Sequence, residues 1–322
     1  MAQKTKKYER GYRPGLTKDA IRQLRQRFFE ASPVKAVIFT LFYLFSTYLC
    51  AYTLYVLLTS DVPVMLAIPA GMGLALLITR QQRALENVVH FGSHLNFSRH
   101  RSANDILVNG LAAWPMLSDV KTYRTFHQAH HGHYGGHGDP CRERFERMGV
   151  SEIDLSTTWS LGLAVLRWLP GYVREYYCDV GSKARQVAAF VAWHGAATLV
   201  LSAVFSMTTG IALTVIWLSV MFVFLPVVRS IAEVGEHDYD RGDTEFDTTY
   251  SNLGFWDHAL LHPAGDAWHV LHHLYPTIPW WRQRQAHAFL MQHDVQYRNA
   301  LHRTSMVQPS QPDPVSEPEP QT

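Results

Sequence analysis

Residues 34–58 read VKAVIFTLFYLFSTYLCAYTLYVLL, with Lys35 at the edge as the only charge. A helix needs about 20 apolar residues to cross the hydrocarbon layer of a bilayer, so this run is long enough to span one. Three more runs repeat the pattern: VPVMLAIPAGMGLALLIT at 62–79, VAAFVAWHGAATLVLSAVFSM at 187–207 and IALTVIWLSVMFVFLPVV at 211–228. A single such run could be a buried helix of a large soluble core. Four of them in 322 residues argue for membrane spans. The mean hydropathy of −0.09 hides this, because the apolar residues, 47% of the chain, are gathered into these runs.

The spans pair up. Ser60-Asp61 joins the first two and Thr208-Thr209-Gly210 the last two, giving two helical hairpins. The first 30 residues hold Lys4, Lys6, Lys7, Arg10, Arg13, Lys18, Arg22, Arg25 and Arg27, whereas the hairpin turns hold no Lys or Arg. The positive-inside rule then places the N-terminus, the central region and the C-terminal region in the cytoplasm. The basic lead is too long for a signal peptide.

Shorter apolar stretches are read differently. Residues 105–117 (DILVNGLAAWPML) are too short to span and contain Asn109, Gly110 and Pro115, so a re-entrant or interfacial segment is expected. Residues 157–180 mix Trp159, Trp168, Tyr172, Tyr176 and Tyr177 with Arg167 and Arg174, which suits a helix lying in the membrane interface. The stretch KDAIRQLRQRFF (18–29) can lie there too. The expected fold is an all-α integral membrane protein: four transmembrane helices in two hairpins, interfacial helices and a cytoplasmic histidine-rich cap. It divides into a basic segment (1–33), a membrane domain (34–307) and a disordered Pro-rich tail (308–322).

The cap is where the chemistry gathers. The chain has 18 histidines, and eight fall into three boxes: His90-Phe91-Gly92-Ser93-His94, His127-Gln128-Ala129-His130-His131 and His269-Val270-Leu271-His272-His273. With an even number of crossings between them, all three face one compartment. On a helix, residues i, i+3 and i+4 share a face, so each box directs its imidazoles together. Neutral imidazole binds Fe, Zn, Cu or Ni. Eight are too many for one ion, and two ions are the economical answer. A lone HxxxH is commonly a surface accident, but three boxes on one side of a membrane are not. Net charge is only +2, which gives no reason to expect nucleic acid as a partner. Cys50, Cys141 and Cys178 form no CxxC pair, so thiolate clusters and a disulfide framework are not expected.

The three boxes, the four-span layout and Gly138-Asp139-Pro140 after the second box resemble the membrane fatty acid desaturase family, over roughly residues 34–290. The resemblance implies two iron ions held by His90, His94, His127, His130, His131, His269, His272 and His273. It also implies a ninth ligand just after the last span, where His237 stands. Glu233, four residues before His237, is a ligand, an orienter of imidazole or a partner of Arg229. The implied reaction uses O2 to remove hydrogen from an unactivated C–H bond of a fatty acyl or related lipid-like chain. Loss of a second hydrogen gives a double bond, and return of oxygen gives an alcohol. Hydroxylation or ketolation, and desaturation of a small secondary metabolite, therefore stay open. Each turnover needs two electrons. No flavin or nicotinamide fingerprint is present, and His262-Pro263-Ala264-Gly265 matches the haem-binding HPGG of cytochrome b5 only loosely, so an external ferredoxin-like or cytochrome donor is implied.

Metal transport is the reading from another class. It would set histidines along a mid-membrane path, and only His194 lies within a span. His194 is expected to be a hydrogen-bonded bundle residue, His133 and His137 to belong to a solvated loop, and Trp280 and Trp281 to anchor at the interface. His100, His258, His262, His287, His293 and His302 follow no ligand pattern.

Overall fold

The first apolar run forms a helix of 27 residues, preceded by a short one: α1 is Lys18–Phe28 and α2 is Pro33–Thr59. Ser32 caps α2 by accepting the Lys35 N–H, and Pro33 takes the first helical position, where its missing N–H leaves no bond unmade. The hydroxyls within α2 are satisfied locally. Thr40, Thr47 and Thr53 each donate to the carbonyl four residues back, which leaves lipid no polar group to solvate. After a turn at 60–63 the chain returns as α3 (Val64–Ser93). At 1.5 Å per residue α3 is about 45 Å long, so it outlasts the hydrocarbon layer. Its first half exposes Val64, Met65, Leu66 and Ile68, and its last turns, from Ala84 to Ser93, are almost entirely buried. The first histidine box thus rides on a rigid extension of a span.

The structure, a computed structural model, describes residues 9–150, 154–181 and 183–307, the side chains of 177–181 excepted. Lys4, Lys6, Lys7 and the Pro-rich tail lie outside the described residues, as does the side chain of Tyr177. α4 (Arg101–Val108) runs into a π turn (Asn109–Ala113) and a 3-10 turn (Trp114–Met116). Then follow α5 (Val120–His133), α6 (Pro140–Met148), α7 (Thr158–Gly181), α8 (Ala184–Val204), α9 (Met207–Val223) and α10 (Leu225–Val234). Pro226 cannot donate to a carbonyl in the preceding turn, and the helix breaks at Phe224 between α9 and α10. The short helices α11 (Glu245–Thr248), α12 (His269–Leu274), α13 (Gln283–His293) and α14 (Val295–Arg298) complete the chain. The strand pairing among the described residues is a two-residue parallel match of Ser251–Asn252 with His302–Arg303.

Four helical stretches are long and apolar enough to cross a membrane: Pro33–Thr59, Val64–Ser93, Ala184–Val204 and Met207–Val234. The two hairpins pack on each other through Tyr48 and Trp217, whose rings lie 5.0 Å apart, and through Gln82, which donates to the Trp217 carbonyl at 2.9 Å. Outward-facing Phe42, Phe45, Leu49, Leu199, Val200, Val215 and Phe222 are exposed, as lipid-facing residues should be. The protein is an all-α integral membrane protein.

The position of the second hairpin turn needs correction. Thr208-Thr209-Gly210 is not the second hairpin turn. α9 already begins at Met207, capped by Ser206, and the turn is at 205–206. Gly210 is there for close packing, since a Cβ would stand 2.3 Å from Ser202 Oγ. The stretch 105–117, expected to be re-entrant or interfacial, is helical and packs between α3 and α8, with Val108, Ala112, Ala113 and Met116 fully enclosed and Ile106 exposed. Its non-α backbone is met by the span: Trp193 Nε1 donates to the Gly110 carbonyl at 2.9 Å, and His194 Nε2 contacts the Pro115 carbonyl at 3.1 Å. His194 is thus the expected hydrogen-bonded bundle histidine, and irregular backbone survives here because protein, not lipid, surrounds it.

In α7 only one face carries exposed apolar residues, among them Trp159, Leu163 and Leu166. Trp168 and Tyr172 turn inward to α10, where the Arg229 Nε donates to the Tyr172 hydroxyl at 2.8 Å. The apolar face of α1 is covered by protein. Ala20, Leu24 and Phe28 pack in the cluster formed by α13, with Phe28 and Phe289 rings 5.6 Å apart. Trp280 is a core residue on Phe91 and Phe97, whereas Trp281 stacks on Phe39 near the start of α2.

Candidate metal centre

Three elements bring the boxes together at the end of α3 away from its hairpin turn. His90 projects from the last turns of α3 and His94 is its C-cap residue. α5 begins where Asp119 accepts the Lys121 and Thr122 N–H groups, and its register sets His127, His130 and His131 on one side. The six-residue α12 carries His269, His272 and His273, all buried. His237 comes from the loop after α10.

The nine imidazoles divide into two groups. In the first, His272 Nε2 lies 2.7 Å from His90 Nε2 and 3.2 Å from both His127 Nε2 and His131 Nε2. His131 Nε2 is 3.0 Å from His127 Nε2, and the ring of His94 closes the group. In the second, His269 Nε2 is 3.1 Å from His237 Nε2 and 3.2 Å from His273 Nε2, and His130 completes the cluster with His237 and His273. The groups adjoin, with the rings of His131 and His273 4.4 Å apart.

The donor set fits bound cations. Each imidazole nitrogen has one proton or one lone pair, so His272 Nε2 cannot satisfy three neighbouring nitrogens by hydrogen bonding. A shared cation satisfies all of them. Ligands about 2.0–2.1 Å from an ion stand about 3 Å from one another, which is the spacing found. His94 Nε2 and His130 Nε2 are buried without a hydrogen-bond partner and are open to the same role. Burial first, then the charge of neighbouring His90, pushes His94 down to about 3. The same two causes, burial and neighbouring histidines, hold His127, His131, His237, His272 and His273 well below the usual imidazole range. These groups are therefore neutral, the form that binds metal.

Partners behind the imidazoles fix their rings. His90 Nδ1 is 3.0 Å from Asp266 Oδ1, His130 Nδ1 2.9 Å from Asp139 Oδ1, and His273 Nδ1 2.7 Å from Glu245 Oε1. His237 Nδ1 is 3.0 Å from the Tyr134 hydroxyl, which also meets Thr248 and Thr249 at 2.9 Å. A hydrogen bond at Nδ1 leaves Nε2 to face the ion. His269 and His272 have no such partner at Nδ1. The Gly138-Asp139-Pro140 stretch has a physical reason as well. Gly138 sits at φ +91°, a region that L side chains rarely adopt, and Asp139 caps α6 through the Cys141 and Arg142 N–H groups while holding His130.

Glu233 is not paired with Arg229. It binds Arg144 Nη1 at 3.2 Å, while Arg229 Nη1 binds Glu86 at 2.7 Å. Asp266, Glu245 and Tyr134 were not singled out by sequence, because their distances from the boxes along the chain carry no pattern. His262, which follows no ligand pattern in the sequence, is buried between Asp266 and Glu236. Burial opposes its charge, but these carboxylates outweigh it and push it up to about 9. His137 is exposed in the loop before α6, as expected, whereas His133 is the exposed last residue of α5 and not a loop residue; neither belongs to the two groups. A cavity open to the surface reaches the two groups, touching His90, His127, His130, His237 and His269.

The family described as fatty acid desaturase has a sequence model that matches residues 63–305 of this chain. Among curated proteins none matches it.

Proposed function

The chain belongs to the fatty acid desaturase family, whose match over 63–305 takes in both histidine groups and most of the membrane domain, and from that premise we propose that it is an O2-dependent di-iron desaturase. The observation that carries the reading is the division of nine imidazoles into two adjoining groups, five of them lining one cavity. The proposed ligands are His90, His94, His127, His131 and His272 for one ion, and His130, His237, His269 and His273 for the other. Bound iron would supply activation of O2 and removal of hydrogen from an unactivated C–H bond.

The chain's own residues do the rest. Asp266, Asp139, Glu245 and Tyr134 orient the ligand rings. Glu233 acts through Arg144 and is not proposed as a ligand. The cavity admits a lipid-like or small hydrophobic substrate and holds it against the histidines. Both termini and the boxes are cytoplasmic, as the basic N-terminal segment and the uncharged spans favour. Electrons come from an external ferredoxin-type or cytochrome-type carrier. Hydroxylation by the same scaffold is the second reading, since return of oxygen to the same carbon needs no different ligand set.

Mass spectrometry of lipids and metabolites from cells expressing the native chain or His272→Ala, both under oxygen, tests the proposal. A product lighter by two hydrogens, present only with the native chain, is expected. A product heavier by one oxygen moves the protein to the hydroxylase reading. The same products from both cell lines would contradict the assignment of His272.

A further inference from the structure

Besides the histidines, the cavity has a charged lining. Arg144, from α6, and Arg229, from α10, line it together with Glu86 and Glu233. A hydrocarbon chain filling this space would strip water from both ion pairs and return no hydrogen bond, at a cost of several kcal/mol per ion. The occupant must therefore carry polar groups of its own.

The bonding capacity left over decides their sign. Glu86 accepts from Arg229 at 2.7 Å and from Arg83 at 3.4 Å, Glu233 accepts from Arg144 at 3.2 Å, and among the described residues no oxygen of either is buried without a partner. A guanidinium has five N–H donors. Among the described residues, Arg144 bonds only through Nη1, and its side chain keeps 18% of its surface exposed. Its guanidinium carbon lies over the Phe126 ring at 5.2 Å and the Tyr172 ring at 5.9 Å. Arg229 spends Nε on Tyr172 and Nη1 on Glu86, and its Nη2 is buried with no partner. What remains unspent is donor capacity: Arg144 keeps Nε and Nη2, the adjacent pair of a fork that takes an oxyanion through two parallel bonds, and Arg229 keeps the single donor Nη2.

We propose that the substrate carries an oxyanion, a carboxylate or a phosphate, that Arg144 binds inside the cavity. This rests on the oxidative reading above and narrows it. On this reading the acid group and the oxidised carbon occupy one cavity.

The test needs no turnover. Iron-loaded protein in lipid nanodiscs is titrated by calorimetry with octanoate, octyl phosphate and octan-1-ol, which share one chain and differ in the head. Binding of one acid is expected to be at least about tenfold tighter than that of the alcohol, and the better acid identifies the group. Arg144→Gln should abolish the preference. Arg144→Lys, which keeps the charge but not the fork, should keep part of it. The double variant Arg144→Gln/Glu233→Gln leaves no lone carboxylate, and it serves if Arg144→Gln alone loses its fold. Iron content should stay at the native level in each folded variant. Equal binding of the alcohol, or a preference that survives loss of the guanidinium in a folded variant, would overturn the proposal. Failure of the oxidative reading appears separately, as absence of a His272-dependent product while the acids still bind as expected.

Discussion

Each histidine in the centre is tied to a reason that sequence alone either carries or does not. The box residues were legible because i, i+3 and i+4 spacing is a local property of a helix, and α3, α5 and α12 are helices at those positions. His237 was legible only through the family resemblance, since no spacing links it to a box. The residues that orient the rings were hidden, because Asp266 reaches His90 across 176 residues and Glu245 reaches His273 across 28. Asp139 offers a test at this scale. Asp139→Asn keeps an acceptor for the Cys141 and Arg142 N–H groups, so α6 stays capped, but it removes the charge behind His130. Metal affinity is expected to fall by about 10–100-fold, read by chelator competition, with helicity unchanged. Native affinity would mean that the carboxylate does not support the ligand.

Among the elements, α3 matters most, because it is both a span and the carrier of two proposed ligands, His90 and His94. The sequence shows its apolar half plainly but not that the helix continues without a break to Ser93, since the change from lipid-facing to protein-buried looks like the end of a span. The misplaced second turn has a related cause. Gly210 reads as a turn signal, yet its glycine serves the contact of α9 with α8. Trp168, Tyr172 and Trp280 read as interfacial aromatics because composition cannot tell which face of an element its neighbours will cover. Gly92, inside the first box, is a second close approach: a Cβ there would stand 2.6 Å from Val108 Cγ2 of α4. Gly92→Ala is expected to destabilise the protein by about 1–3 kcal/mol through overpacking. Adding Val108→Ala should recover part of that loss in thermal unfolding of the detergent-solubilised protein. No recovery would show that the contact of α3 with α4 is not the constraint.

At the scale of the whole molecule, two hairpins fix the end of α3 while α5, α12 and the loop after α10 close around it. Four distant pieces of chain meet only in the folded protein, so the centre and the fold stand or fall together. Metal bound by the native state alone adds to stability by mass action, and stripping iron with a chelator should lower the unfolding temperature. The central claim is that the nine histidines hold two ions, not one. Iron content per chain, measured on protein purified from iron-replete cells, tests it most directly, beside His272→Ala in the first group and His237→Ala in the second. About two irons in the native chain and a loss in each variant are expected. One iron in the native chain, or two irons retained in both variants, would contradict the account.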